Sequence, residues 1–304
     1  MTSNMIALIG EQPIPNLLPI LHQLPQAVLL VRTKFTELTS IRLKAVLKDR
    51  VTVEFVDIKD AYHIVEIYEQ LSAKIEALHW SQQSLVFNIT GGTKPMSVAA
   101  YQLAVDWQQP IQYLQSEQQQ SRLRQYRLTN NQRYLENDET IGTVITIEDY
   151  LNAHLPGFKS EGFSTKGQEL SDGGAFEETI FKTLKPNVDE IVAGVKPEGV
   201  KDQIEIDLVV RCGNQVGIIE AKTGANKQGL DQLAMAGGRA YLGIYTVRFL
   251  VVGRRLRSEL RTLAAARNIH IIELPGYTYG RPLSRAEANQ LINAVREKLG
   301  SGRK

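Results

Sequence analysis

The stretch FNITGGTKPMSVAAYQLA, residues Phe87 to Ala104, joins an apolar run to a helical pattern through two glycines, a threonine and a lysine. The apolar run predicts a buried strand, and Pro95 suits the first helical position because its missing N–H would have no partner there. Glycines let a ligand approach the backbone, and the free N–H groups of a helix start attract an anion. We therefore expect a phosphate-binding turn, the alternative being an ordinary turn with Lys94 as a solvated cation.

Short apolar runs alternate with amphipathic segments on both sides of this turn, over about the first 115 residues. Such alternation is typical of a parallel sheet with helices on both faces, here a Rossmann-like α/β domain. The runs RLRQYRL and QRYLE predict a polar hairpin appended to the sheet edge. The glycine turn then falls at the carboxyl end of a strand, where open α/β sheets bind ligands. Its spacing excludes a Walker A loop, and no dinucleotide-binding glycine series is present.

Composition narrows the class of protein further. Of 304 residues, 43% are hydrophobic and 22% charged, with no apolar run long enough to cross a bilayer and no recognisable signal peptide. The single Cys212 excludes a disulfide framework and fits a cytoplasmic protein. The net charge is only +2, but Arg248 to Lys304 holds twelve Arg and Lys against four Glu. Such a segment attracts polyanions, unless it is simply a solvated basic surface.

The order of elements predicts two domains. We assign residues 1–140 to the first domain, 141–172 to a linker rich in Gly, Ser and Lys, and 173–304 to the second domain. In the second domain a helix precedes two strands joined by a tight turn, after which helices and strands alternate. This pattern predicts a mixed sheet flanked by helices.

Charged residues alternate with apolar ones in the hairpin IEIDLVVRCGNQVGIIEAKTG. If its Gly-Asn pair forms a two-residue turn, cross-strand partners have numbers that sum to 427. Asp207 then faces Glu220, and Glu205 faces Lys222, all on one side of the hairpin. Like charges in directly opposed positions repel, so a cation between Asp207 and Glu220 would stabilise the arrangement.

A third acid, Glu177, lies on the inward stripe of the preceding helix AFEETIFKTLK, whereas Glu178 turns away. Glu177, Asp207 and Glu220 together would suit Mg²⁺ or Mn²⁺, and no Cys or His is near in sequence to favour zinc. The alternative is a salt-bridge network on an exposed sheet face.

The glycine turn resembles the signature turn of CARF domains, the Rossmann-like sensors of cyclic oligoadenylate in type III CRISPR systems. The resemblance implies that Gly91, Gly92, Thr93 and Lys94 contact the activator, with Thr33 as a further candidate. It also implies a homodimer, because a cyclic tetra-adenylate ring has two-fold character and two sensor domains would each supply half its pocket.

The helix glutamate followed by D-x12-E-x-K on a hairpin resembles the PD-(D/E)xK nuclease superfamily, with Ile206 where the literal motif has proline. The resemblance implies that Glu177, Asp207 and Glu220 are catalytic residues that hold the metal. Lys222 would be the fourth catalytic residue, orienting the attacking water or stabilising the transition state.

Sensor turn first and nuclease hairpin second is the order of the CARF nucleases, a resemblance that covers nearly the whole chain. It implies a metal-dependent endonuclease, activated by cyclic oligoadenylate and acting in antiviral defence. No motif selects DNA over RNA, so both stay open as substrates. The alternatives are a constitutive repair or restriction nuclease, and a non-catalytic regulator that binds a nucleotide and then nucleic acid.

Overall fold

The computed structural model describes residues 3–80, 84–117, 119–167, 169–199, 205–224, 227–238 and 241–300. The backbone divides into two compact units, Met1–Val144 with Asn152–His154, and Ile145–Leu151 with Leu155–Lys304. Each unit has its own sheet and its own hydrophobic core.

The N-terminal unit is an α/β domain. Its strands are β1 (Asn4–Leu8), β2 (Ala27–Arg32), β3 (Thr52–Asp57), β4 (Leu85–Asn88), β5 (Ile111–Glu117), β6 (Gln120–Leu128) and β7 (Arg133–Thr140). Its helices are α1 (Ile14–Gln23), α2 (Glu37–Leu47), α3 (Ile64–Ala77) and α4 (Lys94–Asp106). The sheet order is β3-β2-β1-β4-β5-β6-β7, with β1 to β5 parallel and the last two strands antiparallel. The predicted Rossmann-like fold with an edge hairpin is confirmed.

Strand β1 shows why the first half reads as continuous apolar runs. Ile6 and Leu8 belong to the core cluster formed with α3 and α4, whereas Met5 and Ala7 point to the opposite face, and all four are fully buried. A parallel strand covered by helices on both sides has no solvent face, so the sequence shows no alternation of polar residues.

The second unit holds a mixed sheet. The remaining strands are β8 (Phe158–Ser160), β9 (Thr165–Lys166), β10 (Glu169–Leu170), β11 (Glu190–Pro197), β12 (Ile206–Cys212), β13 (Gln215–Lys222), β14 (Val247–Val252) and β15 (Ile269–Glu273). The remaining helices are α5 (Ile147–His154), α6 (Asp172–Leu184), α7 (Gln228–Ala236), α8 (Ser258–Ala266) and α9 (Arg285–Leu299). None of the helices in the described part of the chain combines the length and the hydropathy that a membrane-spanning helix needs.

Six of these strands form a sheet in the order β15-β14-β13-β12-β11-β8. Strands β13 to β15 are parallel and the others are antiparallel. Helices α6 and α9 cover one face through Phe176, Ile180, Leu291 and Val295. The predicted mixed sheet flanked by helices is confirmed.

The segment 141–172, which the sequence assigns to a linker, contains regular structure. Helix α5 begins with a capping box between Thr146 and Asp149, and β8 forms the edge of the six-stranded sheet. Strands β9 and β10 pair with each other. This segment therefore contributes to a folded unit, in addition to connecting two domains.

Candidate functional sites

The glycine turn connects β4 to α4. Thr93 is the N-cap of the helix: its Oγ1 accepts from the Met96 N–H at 3.3 Å and donates to the Ala61 carbonyl at 2.7 Å. The helix begins at Lys94, so Pro95 occupies the second helical position instead of the predicted first. Because neither position needs an N–H, proline is tolerated at both.

Gly91 and Gly92 are required by the packing of this turn. A Cβ on Gly91 would collide with the carbonyl oxygen of Leu8, and Gly92 adopts φ +76°. Two buried amides support the same place, since the Asn16 Nδ2 donates to the Leu8 carbonyl at 2.9 Å and the Asn88 Nδ2 donates to Asn16 Oδ1 at 3.2 Å. Both were missed in the sequence, because an asparagine within an apolar run carries no mark of this role.

A cavity of about 600 Å³ opens at the carboxyl ends of β1 to β4. Four of the five residues predicted to contact an activator line it, namely Thr33, Gly91, Gly92 and Thr93. Lys94 is exposed and is not among the lining residues. Between β1 and β4 the order in which strands are added to the sheet changes direction. The cavity lies beside this point, as ligand sites do in open α/β folds.

Other lining residues give the cavity its chemistry. Lys34 and Lys59 are exposed cations with no carboxylate within ion-pair distance in the described part of the chain, while Glu11 and Asp60 add negative charge. Two aromatic side chains are displayed to solvent, Phe35 at 95% and Tyr62 at 76% exposure. Cations and aromatic faces at one cavity suit a ligand with phosphates and bases.

In the C-terminal unit the hairpin has the predicted register. Pairs from Leu208–Ile219 to Cys212–Gln215 all have numbers that sum to 427, and the turn is at Gly213 and Asn214. Extending the register by one pair places Asp207 opposite Glu220. The residues on the alternate side, including Leu208 and Ile219, lie in the core, as predicted.

Asp207, Glu220 and Lys222 form one cluster. The Lys222 ammonium lies 2.5 Å from Glu220 Oε1 and 3.9 Å from Asp207 Oδ2, and Asp207 Oδ2 also accepts from the Ala221 N–H at 2.7 Å. Glu205, which was predicted to face Lys222, forms an ion pair with Lys196 at 3.5 Å. Both acids of the cluster are buried, Glu220 to 2% exposure, which excludes the alternative of an exposed surface network.

The cluster holds two carboxyl groups against one ammonium, and both carboxyl groups are shielded from solvent. Burial, together with the charge of Glu220, raises the pKa of Asp207 to about 8, while Lys222 opposes the shift. Burial also raises the pKa of Glu220. Burial alone would lower the pKa of Lys222, but the two acids together raise it, so Lys222 remains an ammonium.

Glu177 is buried at 4% exposure on α6, and Glu178 turns outward to Lys182, as predicted. Both oxygens of Glu177 are bound by Ser164: the N–H donates to Oε2 at 3.1 Å and the hydroxyl donates to Oε1 at 2.9 Å. The charge of Glu177 adds to the upward shift of the pKa of Asp207, so it lies within electrostatic range of the cluster.

The three predicted metal ligands do not form one cluster. No group of three or more His, Cys, Asp or Glu side chains is arranged to hold a metal in the described part of the chain. Two opposed carboxylates with a raised pKa still fit Mg²⁺ or Mn²⁺, which use one or two carboxylates and complete their shell with water and substrate phosphate. Glu177 stands outside this pair, and each of its oxygens accepts a hydrogen bond from Ser164.

Residues 5–150 match the family model described as the Card1 CARF domain. The N-terminal unit is a CARF domain. Among curated proteins no sequence match is found.

Solved structures share the fold of the whole chain. Can2 from Sulfobacillus thermosulfidooxidans, solved in complex with cyclic tetra-adenylate, has a TM-score of 0.74 at 17% identity, covering 98% of this chain and 99% of that chain. Protein VC1899 from Vibrio cholerae has a TM-score of 0.73 at 15% identity, covering 99% of both chains. A type III CRISPR defence DNA nuclease activated by cyclic oligoadenylate has a TM-score of 0.64 at 18% identity, covering 96% of this chain and 52% of that chain. The fold of the whole chain is the one that these structures share.

Sequence reasoning also missed Ser164 and four residues that line the cavity, namely Lys34, Phe35, Lys59 and Tyr62. Phe35 follows β2 and Tyr62 follows β3. Ligands bind at the carboxyl ends of parallel strands, so these two positions could have been predicted to line the cavity of the CARF domain, which we call the CARF pocket. Ser164 had no such signal, because it lies in a polar segment without periodicity.

Proposed function

We propose that this protein is a metal-dependent nuclease, activated by a cyclic oligoadenylate, that cleaves DNA or RNA in type III CRISPR antiviral defence. The observation that carries the proposal is the buried cluster of Asp207, Glu220 and Lys222 in a chain whose other unit is a CARF domain. Structural neighbours that bind cyclic tetra-adenylate or act as nucleases support it at the level of the fold. The single cysteine suits the reducing cytoplasm, where this role would be carried out.

The CARF pocket has the groups that a cyclic oligoadenylate needs. The start of α4 offers the positive end of a helix dipole to a phosphate. Lys34 and Lys59 add cations, and the exposed rings of Phe35 and Tyr62 are available to stack on adenine. We take cyclic tetra-adenylate as the first candidate.

The surface around this pocket favours a homodimer. Exposed large apolar side chains occur on α2, α3, α4 and the loops before them, the elements that follow the strands at the pocket, and a second copy could cover them. They are Phe35, Leu38, Ile41, Tyr62, Ile64, Val65 and Val98. A ring with two-fold character would then be held between two equivalent pockets.

At the nuclease centre Asp207 and Glu220 would hold Mg²⁺ or Mn²⁺, which supplies Lewis-acid activation of a phosphodiester and of water. Metal binding requires ionised carboxylates, so Asp207, whose pKa is raised to about 8, would have to release its proton in order to hold the ion. Lys222 contacts both acids and is positioned to stabilise negative charge that develops on the phosphate. Glu177, fixed by Ser164, contributes its charge from beside the pair.

The decisive experiment measures cleavage of labelled DNA and RNA in Mn²⁺, with and without cyclic tetra-adenylate. Each of three substitutions should lower the cleavage rate by roughly 100-fold or more, because each removes a charged group that would stabilise the transition state, directly or by holding the metal ion. The three are Asp207→Ala, Glu220→Ala and Lys222→Ala. Glu178→Ala is the matched control, being an outward acid on α6.

The same assay separates the alternatives. Cleavage that is unchanged in the three variants would mean that the cluster is structural and is not the nuclease centre. No cleavage by wild type, with Mn²⁺ and activator present, would favour a non-catalytic regulator. Cleavage of equal rate without cyclic tetra-adenylate would instead indicate a constitutive nuclease.

A further inference from the structure

A second cavity, of about 410 Å³, lies in the C-terminal unit beside the proposed nuclease centre. Its lining comes from the ends of β13 and β14, from the start of α6 and from the loop after β15. The lining residues are Asp172, Thr223, Gly224, Gly253, Arg254, Tyr277 and Tyr279. Thr223 directly follows Lys222, and the Gly253 N–H donates to the Lys222 carbonyl at 2.9 Å. The cavity therefore adjoins the backbone of the catalytic lysine.

Arg254 is the cation of this cavity. It is exposed and has no carboxylate within ion-pair distance among the described residues, even though Asp172 lines the same cavity. Arg255 and Arg257 follow it on the surface. A guanidinium without a protein partner is available for a phosphate, which it binds in a bidentate manner.

Two tyrosines give the cavity an aromatic side. Tyr277 is anchored by its contact with Phe176, with ring centroids 4.4 Å apart, whereas Tyr279 is 59% exposed. An exposed aromatic ring beside an arginine is the arrangement that binds an unstacked base together with its backbone. The Asp172 carboxylate can accept from an exocyclic amine of such a base.

We propose that this cavity binds one nucleotide of the substrate strand next to the scissile bond, with its phosphate on Arg254 and its base on Tyr279. This assignment rests on the proposed nuclease function. It extends that function from the chemistry at Asp207, Glu220 and Lys222 to the way the strand is held. Backbone and stacking contacts of this kind bind a strand with little sequence preference.

The test is binding of a fluorescein-labelled single-stranded DNA oligonucleotide to the full chain, measured by anisotropy with cyclic tetra-adenylate and EDTA, over a range of salt concentrations. Tyr279→Ala should raise Kd roughly 5- to 100-fold, and Tyr279→Phe should leave Kd nearly unchanged because the ring remains. Arg254→Gln should raise Kd and reduce the slope of log Kd against log salt by roughly 0.7, the value for one single-strand phosphate contact.

Arg285→Gln is the control for net charge, because Arg285 is exposed at the start of α9 and does not line the cavity. Equal effects of Arg254→Gln and Arg285→Gln, or a Kd unchanged in Tyr279→Ala, would overturn the assignment. If wild type cleaves in Mn²⁺ while these variants bind normally, only this inference fails. If wild type does not cleave at all, the proposed function fails, and the binding data still decide whether the cavity holds a strand.

Discussion

Ser164 matters because it binds the Glu177 carboxylate. Its N–H and its hydroxyl each bind one oxygen of Glu177, and its carbonyl accepts from the Ser171 N–H at 3.0 Å and hydroxyl at 3.1 Å. The segment after β8 is thereby tied to the first turn of α6. We infer that Ser164 orients the Glu177 carboxylate beside the proposed metal site, as partners of metal-site residues commonly do.

We predict that Ser164→Ala weakens Mn²⁺ binding by roughly 10-fold or more, measured by calorimetry without substrate. The hydroxyl bond to Oε1 is lost, so the carboxylate is no longer held in one orientation. Ser164→Thr keeps a hydroxyl and should restore most of the affinity.

Ser171→Ala is the matched control for this prediction. It removes the hydroxyl that caps α6 and also donates to the Ser164 carbonyl, which costs about 1 kcal/mol of stability, but it leaves both Ser164 donors to Glu177 in place. Its thermal midpoint should fall while its Mn²⁺ affinity stays near that of wild type. Tighter Mn²⁺ binding in Ser164→Ala would show that Ser164 instead withholds Glu177 from the ion.

A second prediction concerns the pKa of Asp207, which is about 8 in the folded protein against 3.8 for an ordinary aspartate. The folded state keeps a proton that the unfolded chain releases, so the free energy of unfolding falls as pH rises from about 4 to about 8. Asp207→Asn cannot ionise, and its advantage over wild type should grow across this window and level off above it.

Thermal unfolding in EDTA at several pH values between 5 and 9 measures this difference. Asp49→Asn, at an exposed position after α2, serves as the control and should follow the wild-type curve. Parallel curves for Asp207→Asn and wild type would mean that the Asp207 carboxyl is not held protonated by burial.

At the scale of elements, the turn between β4 and α4 is fixed by backbone packing. We predict that Gly91→Ala destabilises the CARF domain by more than about 2 kcal/mol, since the new methyl group would collide with the Leu8 carbonyl. Gly142→Ala is the control, because a Cβ there meets nothing within 4 Å. Hydrogen exchange at β1 and β4 reports the loss, and unchanged protection there would contradict the packing argument.

The elements also show what the sequence could predict. The register of β12 and β13 followed from a two-residue turn and the two-residue period of a strand, both of which are local. The contact of Ser164 with Glu177 depends on how a polar segment folds back on a helix, which no local pattern encodes. The same reason explains why the stretch 141–172 resembled a linker although it contains β8, whereas its helix α5 is marked locally by the cap pattern of Thr146 and Asp149.

At the scale of the whole molecule, activator binding and cleavage are assigned to different units, so substitutions should affect one without the other. Phe35, Tyr62 and Lys59 line the CARF pocket, whereas Asp207, Glu220 and Lys222 lie in the other unit. An activator can favour an active state only through contacts that differ between the states. Substitutions in the CARF pocket should therefore change the activator concentration that gives half-maximal cleavage, without changing the affinity for the metal ion.

We predict that Lys59→Ala and Tyr62→Ala raise the concentration of cyclic tetra-adenylate that gives half-maximal cleavage, roughly 5- to 100-fold for the lost base stacking of Tyr62. Both side chains are exposed, so thermal stability should stay near that of wild type, and Mn²⁺ affinity should not change.

Lys48→Ala, at an exposed lysine outside the pocket lining, controls for the loss of charge. Cleavage in saturating activator should return to the wild-type rate, because the nuclease centre is intact. A lower rate at saturation with an unchanged midpoint would place these residues in transmission of the signal and not in activator binding.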